Sequence, residues 1–299
     1  MKKAMLSHSE WSLIMNKVLK LKIIIFIILL TSNLAFAEKE KVKKMKLTFI
    51  EYARGVSSST NSTIHLSTVS KDLYFYDVHL IDNSFFPDNS IIPNAFLKPL
   101  FKGDIVGAVK ATTEPYYGIR IYHFLKNKPQ IGFGIDFIHF KVFLPDEKQT
   151  VKIKGTKEGE NINLRDDVHN YLESFNVSHG VNHIGFSIIY RKRLYKNEKF
   201  PDGKLQPYVS FHIAPCIPHH EVQIKDSELK AYSYQIKFPN FGFGLGAGLR
   251  VRIYEHFGLF LEYKYTYTFL RNLVFDNGEG KIQLNFGVHH LQWGFSISI

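Results

Sequence analysis

Across residues 241–253 the odd positions are apolar (Phe241, Phe243, Leu245, Ala247, Leu249, Val251, Ile253), and the even ones are glycine or arginine. After Tyr254, Glu255 and His256 the alternation resumes from Phe257 to Phe269, apolar or aromatic at odd positions and mostly small or polar at even ones. Successive strand side chains point to opposite faces, so the pattern predicts two long strands joined by a tight turn. Each reaches or exceeds the roughly 9–11 residues with which a tilted strand crosses a bilayer. In a water-soluble sandwich the apolar face points inward. Here the other face is half glycine, and the apolar face ends in Tyr263, Tyr265 and Tyr267. Lipid reverses the arrangement: apolar residues face hydrocarbon, aromatics ring its edge, and small or charged groups fill the lumen. The expected fold is all-β, an eight-stranded antiparallel transmembrane β-barrel.

The remaining strands follow from the same periodicity. Residues 47–59 form the first, with an ambiguous register because Leu47 and Phe49 share one parity while Ile50 and Tyr52 share the other. Further strands are expected at 116–124, 131–144, 176–194, 205–224 and 282–299. In these, Tyr117, Ile119, Phe133, Ile135, Ile184 and Phe186 point outward. Pro215 and Pro218 mark a bulge or the point where the fifth strand leaves the sheet. The apolar parity of the last strand is even through Val288 and odd from Leu291, which predicts a bulge at His289 and His290. Residues 60–115 lack sustained alternation and form a long extracellular insertion, read as a lid or short hairpin on the barrel mouth. Two extra spanning strands, ten in all, are the alternative. Residues 145–175, 225–237 and 270–281 are read as outer loops, and 126–129, 195–204 and 254–256 as short connections. Long and short connections therefore alternate, as in outer-membrane barrels with both termini inside.

The N-terminus carries a targeting signal. Lys17, Lys20 and Lys22 precede the apolar run from Ile23 to Leu30, and Ala35 and Ala37 flank Phe36 as a small-x-small cleavage site. This predicts a signal peptide over 1–37, cleaved after Ala37, with Met15 as an alternative start to Met1 and a barrel domain over 38–299. Removing a signal with five lysines and one glutamate lowers the net charge from +11 to +7. The nearest acidic partners of a basic outer-membrane protein are the phosphates of lipopolysaccharide. Outer-membrane lipid and the assembly machinery are the expected partners; export and the lack of a stacking or helix-turn-helix motif argue against nucleic acid. One cysteine, Cys216, excludes an internal disulfide and a cysteine-based metal cluster.

The inward parity holds Arg120, Asp136, Arg191, Arg250, Arg252, Glu262 and Lys264. Eight strands enclose only enough space for side chains. Buried charges must pair or hydrogen-bond, so these residues are expected to plug the lumen as an ion-pair network.

Fourteen histidines are many for this length, and His139, His179, His183, His219, His220, His289 and His290 fall near the expected extracellular ends. His139 and Lys141 share the outward parity, at headgroup height, where a lysine can meet a lipid phosphate. Adjacent strand residues diverge, so at most one of His219 and His220 shares a site with Glu221 unless a bulge intervenes. The candidate site residues are His139, Lys141, His179, Asn182, His183, His219, His220 and Glu221, chosen on position and chemistry. The cofactor is unknown, with a divalent metal as one option.

Several runs resemble the lipid A oxidase-like outer-membrane barrels, within the broad group of small OmpA/OmpW-like barrels. They are Pro115 to Arg120; Gly132 to Val142 with Asp136, His139 and Lys141; Ser178 to Asn182; Pro207 to Val209; Pro218 to Val222; and Glu262 to Tyr267. The resemblance runs strand by strand from Tyr116 to the C-terminus. It implies an eight-stranded barrel whose outer face meets lipid A, and oxygen-dependent oxidation of the proximal glucosamine to an aminogluconate. One departure is Ile299, where outer-membrane barrels usually end in an aromatic residue; Trp293 and Phe295 lie on the same outward face. Alternatives to a lipid A-modifying enzyme are a non-catalytic structural or adhesive barrel and, least favoured, a small pore. No nucleotide-binding loop, HExxH helix or nucleophile elbow is present.

Overall fold

The computed structural model describes residues 45–82, 116–225, 227–234 and 240–299. The expected signal peptide, most of the lead that follows it and residues 83–115 of the insertion lie outside the described residues. In chain order the strands are β1 (Thr48–Ser59), β2 (Ser62–Thr68), β3 (Lys71–Val78), β4 (Tyr117–Leu125), β5 (Lys128–His139) and β6 (Val142–Phe143). These are followed by β7 (Thr150–Lys157), β8 (Glu160–Asp167), β9 (Leu172–Val177), β10 (His183–Arg191) and β11 (Leu205–Pro215). The last are β12 (His219–Ile224), β13 (Lys230–Tyr234), β14 (Phe241–Arg252), β15 (Phe257–Val274) and β16 (Gly280–Ser298).

Strand β1 pairs with both β4 and β16, so β1-β4-β5-β10-β11-β14-β15-β16 closes into a ring of eight antiparallel strands. The ring is inside-out relative to a water-soluble barrel. Ile119, Ile135, Phe186, Ile213, Leu245 and Leu261 are exposed on its outer face, whereas arginines, carboxylates and a lysine are buried within. Strand β1 takes the register that buries Phe49, Glu51 and Ala53 and leaves Ile50 outside.

All seven inward charges expected from the pattern lie in the lumen, joined by Glu51 and Asp202. Arg120 bridges Glu51 at 2.8 Å and Glu262 at 2.6 Å, and Arg250 reaches Glu51 at 2.5 Å. Lys264 pairs with Asp136 and lies 3.3 Å from Glu262. Nearer the lower end, where the chain termini of β1 and β16 meet, Asp202 pairs with Arg252 and lies 3.8 Å from Arg191. Gln206 accepts from Arg191 at 3.0 Å and Arg250 at 2.9 Å. Aromatic faces cover the remaining guanidinium surface, Phe124 lying 3.5 Å from Arg191. The alternating glycines of β14 make room for this filling: a Cβ at Gly244 would come 2.3 Å from His212, and one at Gly248 2.6 Å from Tyr208.

Above the ring stands a second storey with its own apolar core. Strands β6, β9, β12 and β13 form a four-stranded sheet in the order β13-β12-β9-β6, while β2, β3, β7 and β8 extend outward from β16. Phe140, Phe175, Leu172, Val222, Leu273 and Phe286 are buried between them. The hairpin expected within 60–115 is therefore present as β2 and β3, although it pairs with β16 above the ring.

Several expectations need correction. Residues 225–237 are not all loop, since they contain β13, which pairs with β12. Residues 145–175 are not one loop: they contain the β7–β8 hairpin, in which only Val151 and Ile153 are buried, alternating with exposed Thr150, Lys152 and Lys154, a pattern too short to stand out in a charged stretch. Residues 270–281 are largely strand, because β15 and β16 run past the ring and pair as far as Val274 and Lys281. There is no bulge at His289 and His290; the register passes evenly from Tyr265↔His289 to Lys264↔His290. The parity of β16 changes because its surroundings do. Below His290, the odd positions Leu291, Trp293 and Phe295 face outward. Above it, the even positions Ile282, Leu284, Phe286 and Val288 face the protein core. Pro215 marks the departure point of the fifth strand, since β11 ends there and β12 begins in the other sheet.

Candidate functional site

The strand expected over 176–194 is broken between β9 and β10 by residues 178–182, and this break builds the site. Gly180 has φ +94° and Asn182 φ +51°, a left-handed backbone open to glycine and tolerated by asparagine. The Asn182 amide donates to the carbonyl oxygens of His179, Gly180 and Ile217 at 3.2, 3.1 and 2.9 Å. Its Oδ1 lies 2.7 Å from His139 Nδ1, which donates to it. The backbone N–H of His219 donates to the Gly180 carbonyl at 3.2 Å. These bonds hold the break against the start of β12.

The result is a cluster of His179, His219 and Glu221. Positions 219 and 221 share one face of β12, and Ser178 and His179 meet that face from the break. His179 Nδ1 lies 3.2 Å from His219 Nδ1. Glu221 Oε1 lies 3.6 Å from the first and 3.8 Å from the second. The Ser178 hydroxyl donates to Glu221 and sits 3.0 Å from His179 Nδ1. Tyr234 and Tyr232 of β13 wall the His219 ring at centroid distances of 4.4 and 4.9 Å. Burial pushes the His219 pKa down, the neighbouring His179 adds to this, and Glu221 opposes it. The ring therefore stays neutral at pH 7, with a lone pair available.

The other candidates take different places. His139 is outward in parity but covered, stacked on Tyr117 at 4.9 Å, and acts through Asn182. Strand β5 ends at His139, so its parity does not extend to Lys141, which lies half-buried in the crossing to β6. His220 faces the upper core, 3.3 Å from the Val274 carbonyl oxygen. His183 turns into the lumen, where Nε2 meets the Thr268 hydroxyl at 3.0 Å, and His290 likewise meets Thr266 at 2.8 Å. His289 lies apart, 2.5 Å from the Tyr263 hydroxyl. The expected gathering of seven histidines thus resolves into the His179–His219 pair, a positioning histidine and others elsewhere. Sequence reasoning missed Tyr232 and Tyr234, which show only as a short alternation around Ser233.

No family model matches the chain, and no curated protein sequence matches it. Solved structures that resemble it are small barrels of bacterial outer membranes. Neisserial surface protein A is 11% identical with a TM-score of 0.35, the match covering 84% of this chain and 97% of that one. The outer membrane protein OprG from Pseudomonas aeruginosa is 9% identical, with a TM-score of 0.40 and coverages of 85% and 96%. The outer membrane protease OmpT from Escherichia coli is 7% identical, with a TM-score of 0.36 and coverages of 90% and 100%. Identities this low transfer no activity.

Gly180 is the residue of the break least open to change. A Cβ there would lie 2.4 Å from His139 Cε1, and a side chain in this backbone region costs about 1–2 kcal/mol. Gly180→Ala is expected to displace His139 from Asn182 and raise the rate of limited proteolysis within 178–182, with the ring intact. An unchanged cleavage rate would show that the break is held by other contacts.

Proposed function

We propose that this chain is an integral barrel of a bacterial outer membrane, acting at the lipopolysaccharide layer, and that the rim cluster modifies the lipid A headgroup. The observation that carries this reading is the position of His179, His219 and Glu221 on the outward face of the upper storey. The outward apolar belt begins a few residues below, at Ile184 and Phe186. A headgroup seated above such a belt would meet this face, and the net charge of +7 expected after signal removal favours its phosphates. Oxygen-dependent oxidation of the proximal glucosamine is the specific reaction that the family resemblance implies.

Mass spectrometry of lipid A from cells with and without the protein tests this. The expected result is a mass change on the proximal sugar that disappears with His219→Ala. Identical spectra under oxygen and added divalent metal would overturn it. A second reading, a non-catalytic structural or adhesive barrel, is favoured by the packed lumen and the large upper storey; those same features disfavour a pore.

A further inference from the structure

The triangle formed by His179 Nδ1, His219 Nδ1 and Glu221 Oε1 has edges of 3.2, 3.6 and 3.8 Å. A point equidistant from such corners lies about 2.1 Å from each, the bond length of a first-row metal to imidazole nitrogen or carboxylate oxygen. The three atoms come from two separate segments, the break after β9 and the face of β12, and all lie within 4.8 Å of one another.

We propose that His179, His219 and Glu221 bind a divalent transition metal. This goes beyond the lipid A reading and does not depend on it. Two imidazoles and one carboxylate select zinc, iron(II), cobalt(II) or nickel over magnesium and calcium, which take oxygen ligands. The three ligand atoms lie close enough for a single cation to contact all three at once. The surroundings fit the role. Ser178 donates to Glu221, the kind of outer contact that orients a ligating carboxylate. The Asn182 bonds fix the loop that presents His179. The His179 side chain is half exposed and that of Glu221 is 27% exposed. A fourth coordination position is therefore open to solvent, as in metal sites that act on a substrate rather than merely brace a fold.

The test is cobalt(II) titration of the full chain without affinity tags, refolded in detergent and free of lipopolysaccharide, followed in the visible spectrum and by competition with zinc. The expected result is one cobalt per chain with d–d bands. Affinity should fall at least tenfold in His219→Ala and in the milder Glu221→Gln, while His65→Ala, far from the cluster, binds as the parent does. Folding of each variant is checked by heat-modifiable gel mobility. If His219→Ala does not fold, Glu221→Gln and His179→Gln decide the matter. Absence of cobalt binding, or binding unaltered in the folded variants, overturns the proposal. Because lipid A is absent, metal binding with unchanged lipid A in cells would remove the enzyme reading alone.

Discussion

Glu51→Leu is expected to destabilise the ring more than any other single substitution in the lumen. Glu51 accepts from Arg250 and forms an ion pair with Arg120, and all three side chains are fully buried. Among the described residues the lumen holds five cations, Arg120, Arg191, Arg250, Arg252 and Lys264, against the four carboxylates Glu51, Asp136, Asp202 and Glu262. Among the described residues, removing Glu51 leaves Arg250 with the neutral Gln206 as its hydrogen-bond partner, in a region it shares with Arg191 and Arg252. Stranding one member of a buried pair costs about 3–5 kcal/mol. Urea unfolding of the protein in lipid vesicles should show this loss. The double variant Glu51→Leu with Arg250→Met should regain most of it, because uncharged groups of similar volume need no counterion. A single variant as stable as the parent, or a double variant as weak as the single, would show that water or other groups neutralise this part of the lumen.

Phe175→Ala is expected to loosen the upper storey while leaving the ring closed. Phe175 is fully buried in the upper core, and truncating a buried phenylalanine costs about 3–5 kcal/mol, part of it for the cavity left behind. That core is apolar, whereas the ring is held by its backbone ladders and ion pairs, so the two need not melt together. Protease treatment should cut the variant within β7, β8 or β12 under conditions where the ring stays intact. Simultaneous loss of both storeys would show instead that they unfold as one cooperative unit.

The ring was legible in the sequence because one physical rule governs most of it: outward positions are apolar and inward ones small or charged. Arg120, Asp136, Arg191, Arg250, Arg252, Glu262 and Lys264 could all be placed inside from parity alone. Glu51 escaped because the apolar residues of β1 fall on both parities, with Phe49 filling space beside arginines while Ile50 lies outside. Asp202 escaped because it lies in a connection rather than a strand. Above the ring the rule inverts: an apolar core replaces the charges inside, and mostly polar positions replace the exposed apolar belt outside. The reading of β16 as bulged and of 270–281 as a loop both came from carrying the lower rule upward. The rim cluster was half legible. Spacing along β12 separated His219 from His220, but His179 joins them only through the positive φ of Gly180 and Asn182, and parity does not describe a chain that has stopped being a strand.

The continuity of β15 and β16 through both storeys has a consequence for accuracy of assembly. A register slip of one residue in a strand exchanges its two faces. With the ring in a membrane as proposed, such a slip in this hairpin would turn Glu262, Lys264 and Gln292 toward hydrocarbon and, in the same movement, Ile282, Leu284 and Phe286 toward water. Misalignment is thus penalised twice by two unlike solvents, and the two penalties cannot be relieved separately. The longest hairpin among the described residues is proofread at both ends, and it supplies a fixed template on which the β2–β3–β7–β8 extension aligns.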